Sequence, residues 1–135
     1  MQRRILGTPP LRTPTRGPGE VRVLTWRRDW VNCLWALKSF YRFDPGDLPL
    51  VIHDGGLSAT AARTLLRHFP DATYVPIASA DAEVGAALQR RGLARCLAYR
   101  ALNPTCRKLF DFYYLSKTEY VVTFDSDVLF FSRPD

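Results

Sequence analysis

The sequence predicts an α/β domain: an open, mostly parallel sheet with helices on both faces. Three observations predict it. From Val21 onward, short runs of β-formers alternate with segments of helical spacing. Turn and capping residues punctuate them, at Pro45-Gly46, Asp54-Gly55-Gly56, Ser58 and Gly92. The last strand-like run, Tyr120-Val121-Val122-Thr123-Phe124, ends in Asp125-Ser126-Asp127, two carboxylates one residue apart. Strands that alternate with helices are joined by right-handed crossovers, so they lie parallel and bring their carboxyl ends to one edge.

Residues 1–20 hold four prolines, three glycines and four arginines. Ile5-Leu6 is the only apolar pair of its opening, too little for a core, so a flexible basic leader is expected ahead of a domain over 21–135. The first strand is expected over 21–25. Asp29 is placed to cap a helix over 31–41, with Val31, Leu34, Trp35, Lys38 and Tyr41 on one side. A second strand over 48–53 is broken by Asp54-Gly55-Gly56. Ser58 then caps a helix whose Ala61, Ala62, Leu65, Leu66 and Phe69 follow the 3.6 period. A third strand covers 73–77. Pro76 has no ladder donor, which puts that strand at an edge. Asp81 is expected to cap a short helix through 91, with Gly92 as its stop. Asn103-Pro104 opens a last helix, running to about 116, with Leu109, Phe112, Tyr113 and Ser116 on one side. The fourth strand, uninterrupted and apolar, reads as buried.

Composition bounds the function. A chain of 135 residues with 47% hydrophobic residues supports one folded domain. The net charge of +6 is ordinary surface arginine or attraction for an anion. No nucleic-acid-binding motif accompanies it, so nucleic acid is not the expected partner. Binding through the basic leader is the reading left for it. The three cysteines, Cys33, Cys96 and Cys106, have no zinc or redox spacing, and a reducing compartment suits them. With no membrane-length apolar run and no signal-peptide core, the expectation is a cytoplasmic protein.

The chemistry concentrates at Asp125 and Asp127. The bland reading is a solvated surface turn. Yet the acids interrupt apolar sequence on both sides, with Val128-Leu129-Phe130-Phe131 following. Carboxylates in such a segment cost desolvation energy unless paired or metal-bound. Two acids this close favour a cation between them, and oxygen ligands select a hard ion such as Mg²⁺ or Mn²⁺. Open α/β sheets keep ligand crevices at the carboxyl ends of their strands. Thr25-Trp26, His53-Asp54 and the paired acids should therefore converge.

The segment Cys106-Arg107-Lys108-Leu109-Phe110-Asp111 through Tyr120 to Phe130 resembles the nucleotide-sugar-binding half of GT-A-fold glycosyltransferases, a Rossmann-like fold. The glycogenin-like retaining enzymes are among the most similar in form. In that family a helix bearing a lysine leads into a strand ending in Asp-x-Asp. The resemblance covers the architecture from about Val21 and is sharp from about Asn103. It implies the strand order third, second, first, fourth. Asp127 would bind the metal, and Asp125 would share it or reach the ribose. Lys108 would approach the sugar nucleotide, or else remain a solvated helix residue. Thr25-Trp26 would meet the base, with Trp26 stacking on it or serving as a core tryptophan. Asp54 would contact base or ribose, or simply form an Asp-Gly turn. His53 reads as a strand-end residue. Arg27 and Arg28 would face the phosphates or the solvent. The implied activity is metal-dependent transfer of a sugar from a nucleotide-diphosphate donor to an unknown acceptor, with UDP the family's most frequent nucleotide.

Two other readings stand beside it. A non-catalytic domain that binds a nucleotide or partner would keep the fold without the reaction. Haloacid-dehalogenase-type phosphatases also place Asp-x-Asp after a strand. Theirs continues with a small pair on an early strand, unlike Val128-Leu129 here. The acceptor half of such transferases is not in this sequence, so the chain reads as truncated, inactive alone. A sheet left without its later strands is expected to self-associate or take a covering partner, with 128–131 as its adhesive end.

Overall fold

The computed structural model describes residues 2–43 and 46–133. The expected turn at Pro45 lies outside them. The order of elements is α1 (Gln2–Leu6), β1 (Gly19–Thr25), α2 (Trp30–Phe43), β2 (Leu50–Asp54), α3 (Ala59–His68), β3 (Thr73–Val75), α4 (Ile77–Arg90), α5 (Ala94–Leu102), a 3₁₀ turn (Pro104–Cys106), α6 (Arg107–Leu115) and β4 (Tyr120–Val122). The four strands form one open, wholly parallel sheet in the order β3-β2-β1-β4. This is the α/β class and the strand order expected. Among the described residues no helix is long and apolar enough to cross a membrane.

Strand alternation sorts the two faces of the sheet. Val21 and Val23 of β1 align with Leu50 and Ile52 of β2. All four enter the main core with Cys33, Leu34, Leu37 and Phe40 of α2 and Leu65 of α3. Each fully buried leucine or phenylalanine there contributes about 1.5–3 kcal/mol. The opposite face carries charge. Arg22 Nε donates to Glu20 Oε1 at 2.6 Å, Nη1 meets His53 Nε2 at 2.9 Å and Nη2 donates to the Leu115 carbonyl at 2.8 Å. Arg22 and His53 are both buried. The guanidinium can only donate, so His53 Nε2 accepts and the ring is neutral. Burial pushes the His53 pKa down to about 3, with the nearby Arg22 charge acting the same way. Phe112 of α6 covers the imidazole, ring centroids 4.7 Å apart.

Several expectations need correction. The first residues are not merely a leader. Ile5 is 3% exposed and belongs to the core, while Lys38 Nζ holds Thr8 Oγ1 at 2.7 Å and the Pro9 carbonyl. Leu11 N–H donates to the His68 carbonyl at 2.8 Å, and Arg12 pairs with Asp71. Leu6 and Leu11 pack against the same core, so the segment adds apolar contacts to a surface that the rest of the fold already supplies. Asp81 does not cap α4, which begins at Ile77, directly after Pro76 in an extended conformation. The Asp81 carboxylate serves Arg100 and Arg107 instead. β4 is an edge strand rather than a buried one, with Tyr120 49% exposed. Elsewhere the punctuation holds. Ser58 Oγ accepts from Ala61 N–H at 3.2 Å, Gly92 stops α4 at φ +69°, and Asn103 Oδ1 caps the turn that leads into α6.

Candidate functional site

β1 leads toward β2 and β3 on one side, while β4 lies on its other side. The chain reverses direction across the sheet at that point. A crevice opens there at the carboxyl ends of the strands, as in other open α/β sheets. It has a volume of about 290 Å³ and is lined by Leu24, Trp26, Asp29, Asn32, Thr105, Lys108, Asp125, Ser126 and Asp127. Trp26 follows β1, Asp29 precedes α2 and Asn32 lies in its first turn, Thr105 comes from the 3₁₀ turn and Lys108 from the start of α6, and the paired acids from the loop after β4.

The electrostatics of this crevice are lopsided. Three carboxylates line it against one ammonium. Lys108 Nζ donates to Asp125 Oδ1, across the gap between α6 and the loop. Among the described residues no ion pair engages Asp29 or Asp127. The wall therefore carries two negative charges in excess, on a chain whose net charge is +6.

Trp26 is half-buried and has a built support. A Cβ added at Gly55 would lie 2.6 Å from the indole Cε3 and 2.7 Å from the Thr25 carbonyl oxygen. The indole thus rests on bare glycine backbone. Gly55→Ala is expected to displace the indole and weaken the Gly55 N–H bond to the Thr25 carbonyl, now 2.9 Å. Overpacking of this kind costs about 1–3 kcal/mol. Urea unfolding checks the cost, and the near-UV tryptophan spectrum checks the displacement; an unchanged midpoint and spectrum would contradict the support role.

Four of the residues singled out in the sequence, Trp26, Lys108, Asp125 and Asp127, come together on this wall. The others do not line it. Thr25 is fully buried beneath it, near Cys33. Asp54 is committed to its own turn, where Oδ1 accepts from the Gly56 and Leu57 N–H groups at 2.7 Å each. Arg27 and Arg28 are exposed and line neither cavity. His53 points to the opposite face of the sheet, into the Arg22 cluster. Burial pushes the Cys33 thiol up to about 12, with the Thr25 hydroxyl and the Lys108 charge pulling less strongly the other way. That thiol is packing, not a nucleophile.

Sequence reasoning missed Asp29 as part of the wall. It read as a cap, and its three-residue spacing from Asn32 was the signal that both face one way. A second, larger hollow of about 740 Å³ adjoins the crevice and shares Asn32 and Asp127 with it. Its wall is mostly apolar, with Ile5, Trp35, Phe43, Leu129, Phe130 and Phe131.

The oxygen donors suit a hard divalent cation. Among the described residues no group of three or more His, Cys, Asp or Glu is arranged to hold a metal. A magnesium-type ion does not require one: it keeps several waters and takes one or two carboxylates plus substrate phosphates. Asp125 and Asp127 supply that number. No protein-family model, curated protein or solved structure matches the chain.

Proposed function

We propose that this chain is the nucleotide-sugar-binding portion of a metal-dependent glycosyltransferase. One observation carries the reading: the paired acids in the loop after β4 and Trp26, just past β1, line one crevice with two excess negative charges. Trp26, seated on Gly55, offers a face on which a nucleobase stacks. Asp125 and Asp127 would hold Mg²⁺ or Mn²⁺ together with the diphosphate of a nucleotide sugar, UDP being the first to test. When bound, the ion would supply Lewis-acid stabilisation of the departing nucleoside diphosphate. Lys108 adds a positive charge on the same wall. The sugar goes to an acceptor of unknown identity. Exposed Val128, Leu129 and Phe131 support a covering partner or second copy beside the site.

Titration of UDP into the protein with and without Mn²⁺, using Asp127→Asn as control, tests the reading. Metal-dependent binding supports it, and a folded wild-type protein that binds no nucleotide would overturn it. Turnover of a UDP-sugar then separates an enzyme from a non-catalytic nucleotide-binding domain.

A further inference from the structure

We propose that Lys108 is a built-in counter-ion that yields Asp125 to the divalent cation and turns to the nucleotide diphosphate, so that metal and nucleotide bind with positive coupling. The inference rests on the functional reading above and goes beyond it. Three observations carry it. First, among the described residues lining the crevice Lys108 is the single cation against three carboxylates, and it is spent on Asp125. Second, the pair is open to exchange. The Asp125 side chain is 70% exposed and that of Lys108 25%, so water reaches the pair and it is not sealed in the core. Third, the base of Lys108 is fixed, and its tip is held only by the pair with Asp125. The neighbouring Arg107 donates to Asp81 at 2.6 Å, and Asn103 caps the turn that opens α6. Four rotatable side-chain bonds then let the ammonium move a few ångströms without moving the helix.

The electrostatic consequence follows directly. An ammonium and a divalent cation repel when both sit on one carboxylate. Without nucleotide, Lys108 competes with the metal for Asp125. With nucleotide, the diphosphate gives the displaced ammonium a new partner, and the competition ends. The coupling is reciprocal: nucleotide strengthens metal binding by the factor by which metal strengthens nucleotide binding. Free metal would then be held weakly and the metal–nucleotide pair tightly.

The test uses the full chain, Mn²⁺ and UDP, with wild type, Lys108→Met and Lys108→Arg. In Lys108→Met, Mn²⁺ alone is expected to bind about threefold to fivefold tighter, the value of one partly exposed ion pair removed. The enhancement of Mn²⁺ affinity by UDP is expected to shrink by at least the same factor. Lys108→Arg keeps the charge and should change Mn²⁺ affinity less than Lys108→Met does. A gain in metal affinity cannot come from damaged folding, and matched melting curves confirm this. If wild type binds Mn²⁺ and UDP but Lys108→Met binds Mn²⁺ no more tightly, the counter-ion role is overturned while the functional reading survives. If the folded wild type binds neither, both fall together.

Discussion

Replacing Arg100 with methionine is expected to destabilise the protein by about 3–5 kcal/mol, the usual cost of breaking a buried ion pair by removing one partner. Arg100 is 4% exposed and Asp111 2%. The guanidinium grips Asp111 with two hydrogen bonds, Nε to Oδ1 at 2.6 Å and Nη2 to Oδ2 at 2.8 Å, and reaches Asp81 with the third nitrogen at 2.8 Å. One side chain of α5 therefore ties α4 to α6. Without it, among the described residues Asp111 keeps only the ion pair with Arg107 at 4.0 Å. The melting temperature should fall by roughly 10 °C or more. The double variant Arg100→Met with Asp111→Leu should recover much of the loss, because the costly state is the lone buried carboxylate rather than the missing pair. An Arg100→Met protein as stable as wild type would contradict this account.

The second large effect is acid sensitivity through His53. Its folded pKa is about 3, below the ordinary 6.5. Between those values the unfolded chain binds the extra proton, so stability rises with pH. The contribution is fully present above about pH 6.5 and is lost as pH falls toward 3. From pH 7.5 to pH 5 the loss from this one residue is about 2 kcal/mol. His68, also lowered chiefly by burial, acts in the same direction. His53→Gln removes the titration while offering Arg22 a carbonyl acceptor. Urea midpoints at the two pH values should therefore differ less in that variant than in wild type. An equal pH dependence would show that His53 protonates without penalty.

Much of the fold was legible because local chemistry and topology agree. Alternating elements led to four parallel strands, and Ser58, Gly92 and Asn103 punctuate helices where their side chains or backbone freedom require. The third strand lies at an edge as expected but covers only Thr73–Val75 rather than 73–77, so Pro76 stands outside the ladder and precedes α4 instead of marking the edge. What escaped was charge in buried places. Glu20 and Arg22 are both buried, Arg22 bonded to the Leu115 carbonyl at the end of α6, and nothing in a short strand pattern announces that. Asp81 looked like a helix cap because a carboxylate before a helical pattern usually is one; only the fold shows Arg100 and Arg107 converging on it. α5 was not recognised because it packs through the Arg100 ion pair rather than through an apolar stripe. Ile5 escaped because its partners are more than twenty residues away in the chain.

The candidate site divides the same way. Strand ends named Trp26 and the paired acids, since parallel strands must deliver them to one edge. Asp54 failed to arrive because two backbone N–H groups already claim its carboxylate, which an Asp-Gly-Gly sequence permits without requiring. Asp29 and Asn32 needed the fold to show that the start of α2 opens on the crevice.

The central claim is that Asp127 and its neighbours hold a nucleotide diphosphate through a divalent cation. Calorimetric titration of UDP into the folded protein, with Mn²⁺ and again with chelator, tests it most directly. Saturable binding is expected only with Mn²⁺, and Asp127→Asn should abolish it while leaving the melting curve in place. Binding that ignores both the metal and the substitution, or no binding at all, would contradict it.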